Sequence, residues 1–113
     1  MSGAPPVTVI VAYEALPDMV DTARAELEAL IELVVAREPD CLGIRMYADV
    51  TAPQRLLLIE QWTSVEAFTG PHMQTPHLQA FMERARALIA GPPELRFWSE
   101  VAVALPASGR LDA

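Results

Sequence analysis

The chain has 113 residues, 52% of them apolar, and a formal net charge of −7 at pH 7, with a pI near 4.6. That length fits one domain, and an expected burial of roughly 65–70% of the extended chain's surface allows a real core but not an enclosed ligand cavity beside it. The eight basic residues are all arginine and are scattered, so the chain lacks the basic face that nucleic acid or an anionic membrane surface requires.

No run reaches the roughly 18 apolar residues of a membrane-spanning helix. The N-terminus also lacks the basic start and long apolar stretch of a secretory leader, so a cytoplasmic location is expected. Cys41 stands alone, which excludes an internal disulfide and a cysteine-based metal site and leaves it as a small buried apolar residue. So apolar a chain of this size is expected to cover part of its surface with a second subunit.

Between loose ends at residues 1–6 and 105–113, the pattern gives one domain over 7–104 in the order βαββαβ. Val7–Glu14 is β-branched and alternates, putting Val7, Val9, Val11 and Tyr13 on one strand face. Pro17-Asp18 opens a helix whose apolar residues Val20, Ala23, Leu27, Leu30, Ile31 and Val34 form one stripe. Glu38-Pro39 ends it, since the residue before proline is driven out of helical geometry. Leu42–Asp49 and Arg55–Trp62 form a hairpin across the turn Thr51–Gln54.

Thr63 and Glu66 have the spacing of a capping box for a short helix that Gly70-Pro71 ends. Thr75 caps a second helix with Pro76 at its first position. Its stripe is Leu78, Phe81, Met82, Ala85, Leu88 and Ile89, and Gly91-Pro92-Pro93 terminates it. Leu95–Val103 is the last strand. This order suggests an antiparallel sheet with both helices on one face. Ile10, Leu57 and Ile59 are then left on the other face, where a partner sheet in a symmetric dimer would cover them.

Few groups in the chain can do chemistry, and they cluster between residues 60 and 77. Glu60 and Trp62 share a strand face with Leu58. If buried, Glu60 has a raised pKa and can accept a phenolic proton; otherwise it is a solvated strand-end carboxylate. Trp62 can stack on a flat ligand or simply fill the core. His72 lies in the loop between the helices, with an ordinary pKa suited to base chemistry. His77 falls in the first helical turn, where the dipole disfavours its cation. Both histidines could equally fix local turns. Their spacing does not place them on one helix face, and no carboxylate lies close in sequence, so no metal site is expected. Arg45 can steady an anion or pair across the hairpin.

Arg37-Glu-Pro-Asp-Cys-Leu42, Glu60-Gln-Trp62-Thr-Ser-Val-Glu-Ala-Phe68 and His72-Met-Gln-Thr-Pro-His77 together resemble the antibiotic biosynthesis monooxygenase family, over nearly the whole chain. The resemblance implies a ferredoxin-like α+β fold that dimerises through its sheets into a β-barrel, with a pocket between sheet and helices in each subunit. Family activities include cofactor-independent oxygenation of phenols and anthrones, quinol oxidation and haem degradation.

Tyr13, Pro71 and Phe81 stand where haem-degrading members carry Asn, Trp and His, which argues against haem. Leu58 and Phe68 stand where anthrone oxidisers carry Asn and, in some, Tyr. Asp40 replaces the glycine usual after Glu-Pro, a place Asp tolerates if φ is positive.

The resulting expectation is a homodimeric, cofactor-independent monooxygenase acting on a hydroxylated aromatic, anthrone or quinol. His72, Glu60 and Trp62 would be catalytic, and Tyr13, Leu58, Phe68, His77, Phe81 and Met82 would line the substrate site. No cofactor is expected, since no glycine-rich phosphate-binding pattern occurs. The alternative is a non-oxygenase dimer of the same fold, a small-molecule binder or isomerase, with a pocket collapsed onto Leu58, Trp62, Phe68 and Phe81 if its role is structural or binding alone.

Overall fold

The computed structural model describes residues 5–107; most of the two expected loose ends, residues 1–4 and 108–113, lies outside the described residues. The elements run β1 (Val7–Glu14), a 3₁₀ turn (Pro17–Met19), α1 (Val20–Arg37), β2 (Cys41–Ala48), β3 (Arg55–Trp62), α2 (Val65–Thr69), a second 3₁₀ turn (Pro71–Gln74), α3 (Pro76–Ala85) and β4 (Glu94–Trp98). The strands form one antiparallel sheet in the order β2-β3-β1-β4, a ferredoxin-like α+β fold.

Strand alternation sorts the side chains by face. Val7, Val9 and Val11 of β1 and Leu56, Leu58, Glu60 and Trp62 of β3 are buried on the inner face. Ala23, Leu27, Leu30 and Val34 of α1 and Leu78, Phe81 and Ala85 of α3 complete the core over them. The opposite face carries half-buried Ile10, Ala12, Leu57 and Ile59, with a hydrogen bond from Thr8 Oγ1 to Gln61 Oε1 of 2.9 Å.

In β2 the register slips between Cys41 and Gly43, leaving Leu42 unpaired and 59% exposed. Gly43 makes this bulge with a φ of 148° that suits glycine alone. The extra residue lets Cys41 turn inward opposite Trp62 while Ile44 stays inward opposite Glu60.

Several boundaries differ from the sequence reading. The short helix is capped by Ser64, whose Oγ accepts from the Ala67 N–H at 3.0 Å. Thr63 instead donates its hydroxyl to Asp40 Oδ1 at 2.9 Å, and its N–H bonds the Asp40 carbonyl, which joins the ends of β2 and β3. Asp40 has no positive φ.

Helix α3 ends at Ala85 rather than running on to Ile89. Beyond it the backbone is captured by the end of β1, with Leu16 N–H bonding the Leu88 carbonyl and Ala90 N–H the Glu14 carbonyl. The last strand stops at Trp98, not Val103. Trp98 pairs with Thr8, so two residues further the ladder would meet Pro6, which has no N–H to give.

Leu27 is fully buried between α1 and the sheet. Leu27→Ala is expected to lower unfolding stability by about 3 kcal/mol in urea titrations, whereas Leu42→Ala at the exposed bulge should change it by less than about 0.5 kcal/mol.

Candidate functional site

A cavity of about 570 Å³ lies between the inner sheet face and the two long helices. It is open at one end, which is how a chain of this length accommodates it. The sheet contributes Val11, Tyr13, Ile44, Leu58 and Glu60, α1 contributes Leu30, Ile31 and Val34, and α3 contributes Leu78, Phe81, Met82 and Ala85. Phe68 and His72 lie at its inner end, and Gly91, Pro92 and Pro93 belong to the lining beyond α3. The pocket is therefore not collapsed onto its aromatic residues. Tyr13 meets Phe81 edge-on at 6.2 Å, so these two wall residues brace each other, and Phe68 is braced edge-on by Trp62 and Phe97, both outside the lining, at 5.5 and 5.7 Å.

Glu60 is 5% exposed. Burial raises its pKa to about 7, with the Glu38 charge adding to the rise and a hydrogen bond from Trp62 opposing it. That bond runs from Trp62 Nε1–H to Glu60 Oε1 at 2.9 Å. Trp62 itself does not line the cavity. It is 1% exposed, and it fixes one oxygen of Glu60 from behind while its ring packs 4.6 Å from that of His72.

The two histidines are brought together by a residue remote from both. Glu38, at the end of α1, places Oε1 2.9 Å from His72 Nδ1 and Oε2 2.5 Å from His77 Nε2. A carboxylate only accepts, so each imidazole donates an N–H to it. His72 is thereby fixed in the tautomer that leaves Nε2 as an acceptor for the cavity it lines. Burial holds the His72 pKa below the ordinary value, and Glu38 only partly offsets this. His77 lies behind His72 and does not line the cavity.

Tyr13 remains a phenol, because burial first and Glu60 second push its pKa upward. Leu58, Phe68, Phe81 and Met82 all line the cavity, Met82 at 44% exposure. Among the described residues no group of three or more His, Cys, Asp and Glu is arranged to hold a metal ion, and no helix is long and apolar enough to cross a membrane.

Glu38 and Arg86 are absent from the sequence-derived site. Glu38 reads there only as a helix stop, and nothing local reveals that the chain folds it back 34 and 39 residues onto the histidines. Arg45, the cation singled out from sequence, pairs opposite Ile59 on the other sheet face. The cation on the cavity is Arg86, which continues the four-residue ladder Leu78, Met82, Arg86 and was detectable from that spacing.

The antibiotic biosynthesis monooxygenase family profile matches residues 6–84. The chain belongs to that family. Its fold matches the structures of PA3566 from Pseudomonas aeruginosa (TM-score 0.80, 24% identity, 90% of this chain and 100% of that one) and Rv0793 from Mycobacterium tuberculosis (TM-score 0.76, 25% identity, 88% and 99%). An uncharacterized protein from Synechocystis is 29% identical over 93 residues, 82% of this chain. The chain spans 62% of the length of that relative.

Two outcomes check the electrostatics. Glu38→Gln should lower the titration midpoints of both His72 and Glu60 in an NMR pH series, because the Glu38 charge raises each. Glu60 binds its proton more tightly folded than unfolded, so its contribution to stability is complete below about pH 4.5 and is lost as pH rises to about 7. Glu60→Gln should therefore be more stable than the native protein by roughly 3 kcal/mol at pH 8 and little different at pH 4, as measured by urea unfolding.

Proposed function

We propose that the protein oxidises a hydroxylated aromatic, anthrone or quinol to a quinone with O₂, without a cofactor or metal. The observation carrying this reading is the meeting of a carboxyl with a pKa of about 7, a neutral imidazole and a phenol on one apolar cavity. A base is most effective when its pKa lies near the working pH, and Glu60 meets that condition.

Glu60 takes the proton of the substrate's hydroxyl or acidic C–H. Tyr13 O–H and His72 Nε2 offer a donor and an acceptor to the substrate oxygens. The electron-rich anion transfers its electrons to O₂ and forms a C–O bond to it. Glu60 returns the proton to the peroxide, and loss of water from the hydroperoxide leaves a carbonyl. For an anthrone this balances as one CH₂ and one O₂ giving one C=O and one H₂O. For a quinol, two electrons and two protons pass to O₂, giving quinone and hydrogen peroxide. Leu58, Phe68, Phe81 and Met82 hold the flat body of the substrate and exclude water. Trp62 and His77 act through Glu60 and through Glu38.

The family assignment supports oxygenation or small-molecule binding at this fold; the residues above favour the first. Oxygen uptake with a panel of hydroquinones and anthrones in chelated buffer tests it. The rate should rise with pH through about 7 as Glu60 ionises, and Glu60→Gln should lower kcat/KM by about 10²–10⁴-fold. Undiminished turnover in both Glu60→Gln and His72→Ala would overturn the assignment. Binding of a compound that consumes no oxygen would favour the small-molecule-binding or isomerase reading.

The same proposal includes a homodimer. The outer sheet face presents Ile10, Leu57 and Ile59, with Trp98 52% exposed beside them, a surface suited to a second copy. Light scattering should give about twice the 12.3 kDa chain mass, and Ile59→Glu should shift it toward the monomer. A native protein that stays monomeric at high concentration would contradict the dimer.

A further inference from the structure

We infer that Arg86 forms an anion subsite at the cavity mouth, so that the ligand is an elongated acid: a hydroxylated aromatic head seated at Glu60 and His72, and a carboxylate at its far end. The inference rests on the reading of this cavity as a substrate site and specifies which substrates it takes.

Four titratable or charged side chains line the cavity: Tyr13, Glu60, His72 and Arg86. Arg86 is the guanidinium among them, a planar fork of N–H donors with no acceptor. Among the described residues it makes no ion pair. Its neighbour Arg84, outside the lining, is bound through Nε to Glu26 Oε1 at 2.6 Å. Arg84 already supplies a positive charge in the last turn of α3, so the helix dipole does not by itself account for a second arginine in the cavity lining.

Position separates Arg86 from the acid–base groups. His72 precedes the start of α3 and Arg86 follows its end, and one face of that helix, Leu78, Phe81, Met82 and Ala85, lines the cavity between them. A helix of ten residues is roughly 15 Å long, about the reach of a fused aromatic system carrying an acidic substituent. The walls between the two ends are apolar; of the lining residues, Arg86, Pro92 and Pro93 are exposed while His72 is buried, which puts the opening at the Arg86 end. A protein of net charge −7 repels an acid at long range. A fixed guanidinium at the mouth, able to bind a carboxylate through two parallel N–H bonds, offsets that locally.

The test uses 2-hydroxyanthraquinone and 6-hydroxyanthraquinone-2-carboxylate, whose carboxylate lies on the ring opposite the hydroxyl; both are already oxidised, so calorimetric or fluorescence titration reads binding without turnover. The native protein should bind the carboxylate about tenfold more tightly than the neutral compound, the magnitude expected of a charge-assisted bond at a partly exposed site. Arg86→Gln should abolish that preference and leave the affinity for the neutral compound unchanged. Arg86→Lys should retain part of it, and Arg84→Gln should retain all of it. Equal affinities in the native protein, a uniform loss in Arg86→Gln, or binding of neither compound would overturn the inference. A protein that prefers the carboxylate through Arg86 but consumes no oxygen would overturn the oxygenation reading alone. One that oxidises phenols with no preference for acids would overturn only the anion subsite.

Discussion

The carboxylate of Glu38 is the constraint on which the candidate site depends. It ties three separate pieces of chain to one point: the end of α1, the 3₁₀ turn that carries His72, and the first turn of α3 that carries His77. Alone, His72 on its short connection and His77 at the start of α3 would each leave a ring free to turn. Sharing one acceptor fixes both rings and closes the inner end of the cavity. A half-buried carboxylate with two N–H donors is well satisfied, and no buried side-chain polar atom among the described residues lacks a partner.

The rest of the site follows from putting ionisable groups into apolar surroundings. The same desolvation that keeps Tyr13 a phenol and His72 an unprotonated ring brings Glu60 into the range where it both accepts and returns a proton. Trp62 contributes indirectly. By donating to one Glu60 oxygen it limits the rise in pKa and aims the carboxyl. The tryptophan that stands out in the sequence thus supports Glu60 from within the core.

Local patterns made most of the fold legible. Alternation in Val7–Glu14 and the three- and four-residue stripe of α1 correspond to the observed elements closely, because each is long and periodic. The errors lie where a distant segment decides. Thr63 has the spacing of a cap, but Asp40 claims its hydroxyl, leaving Ser64 as the cap. Leu88 and Ile89 fit the stripe of α3, yet β1 draws their backbone out of the helix. Tyr13, Glu60, Phe68, His72 and Phe81 could be gathered from strand parity and helix spacing. Glu38 could not, since its role exists only once the helix end has folded back onto residues far along the chain.

Pro6 fixes where β4 must leave the sheet, and this has a consequence for the chain as a material. Residues 99–107 carry the alternating apolar side chains Val101, Val103 and Leu105, exposed by 93%, 61% and 58%, with no ladder of their own to join. They form a strand-like sequence stranded in water, the kind of segment that seeks any available sheet edge. Such an arm lies open to proteases, and crowding with unlike chains invites it onto foreign edges. A single proline at one end of the molecule thereby governs how the other end behaves among its neighbours.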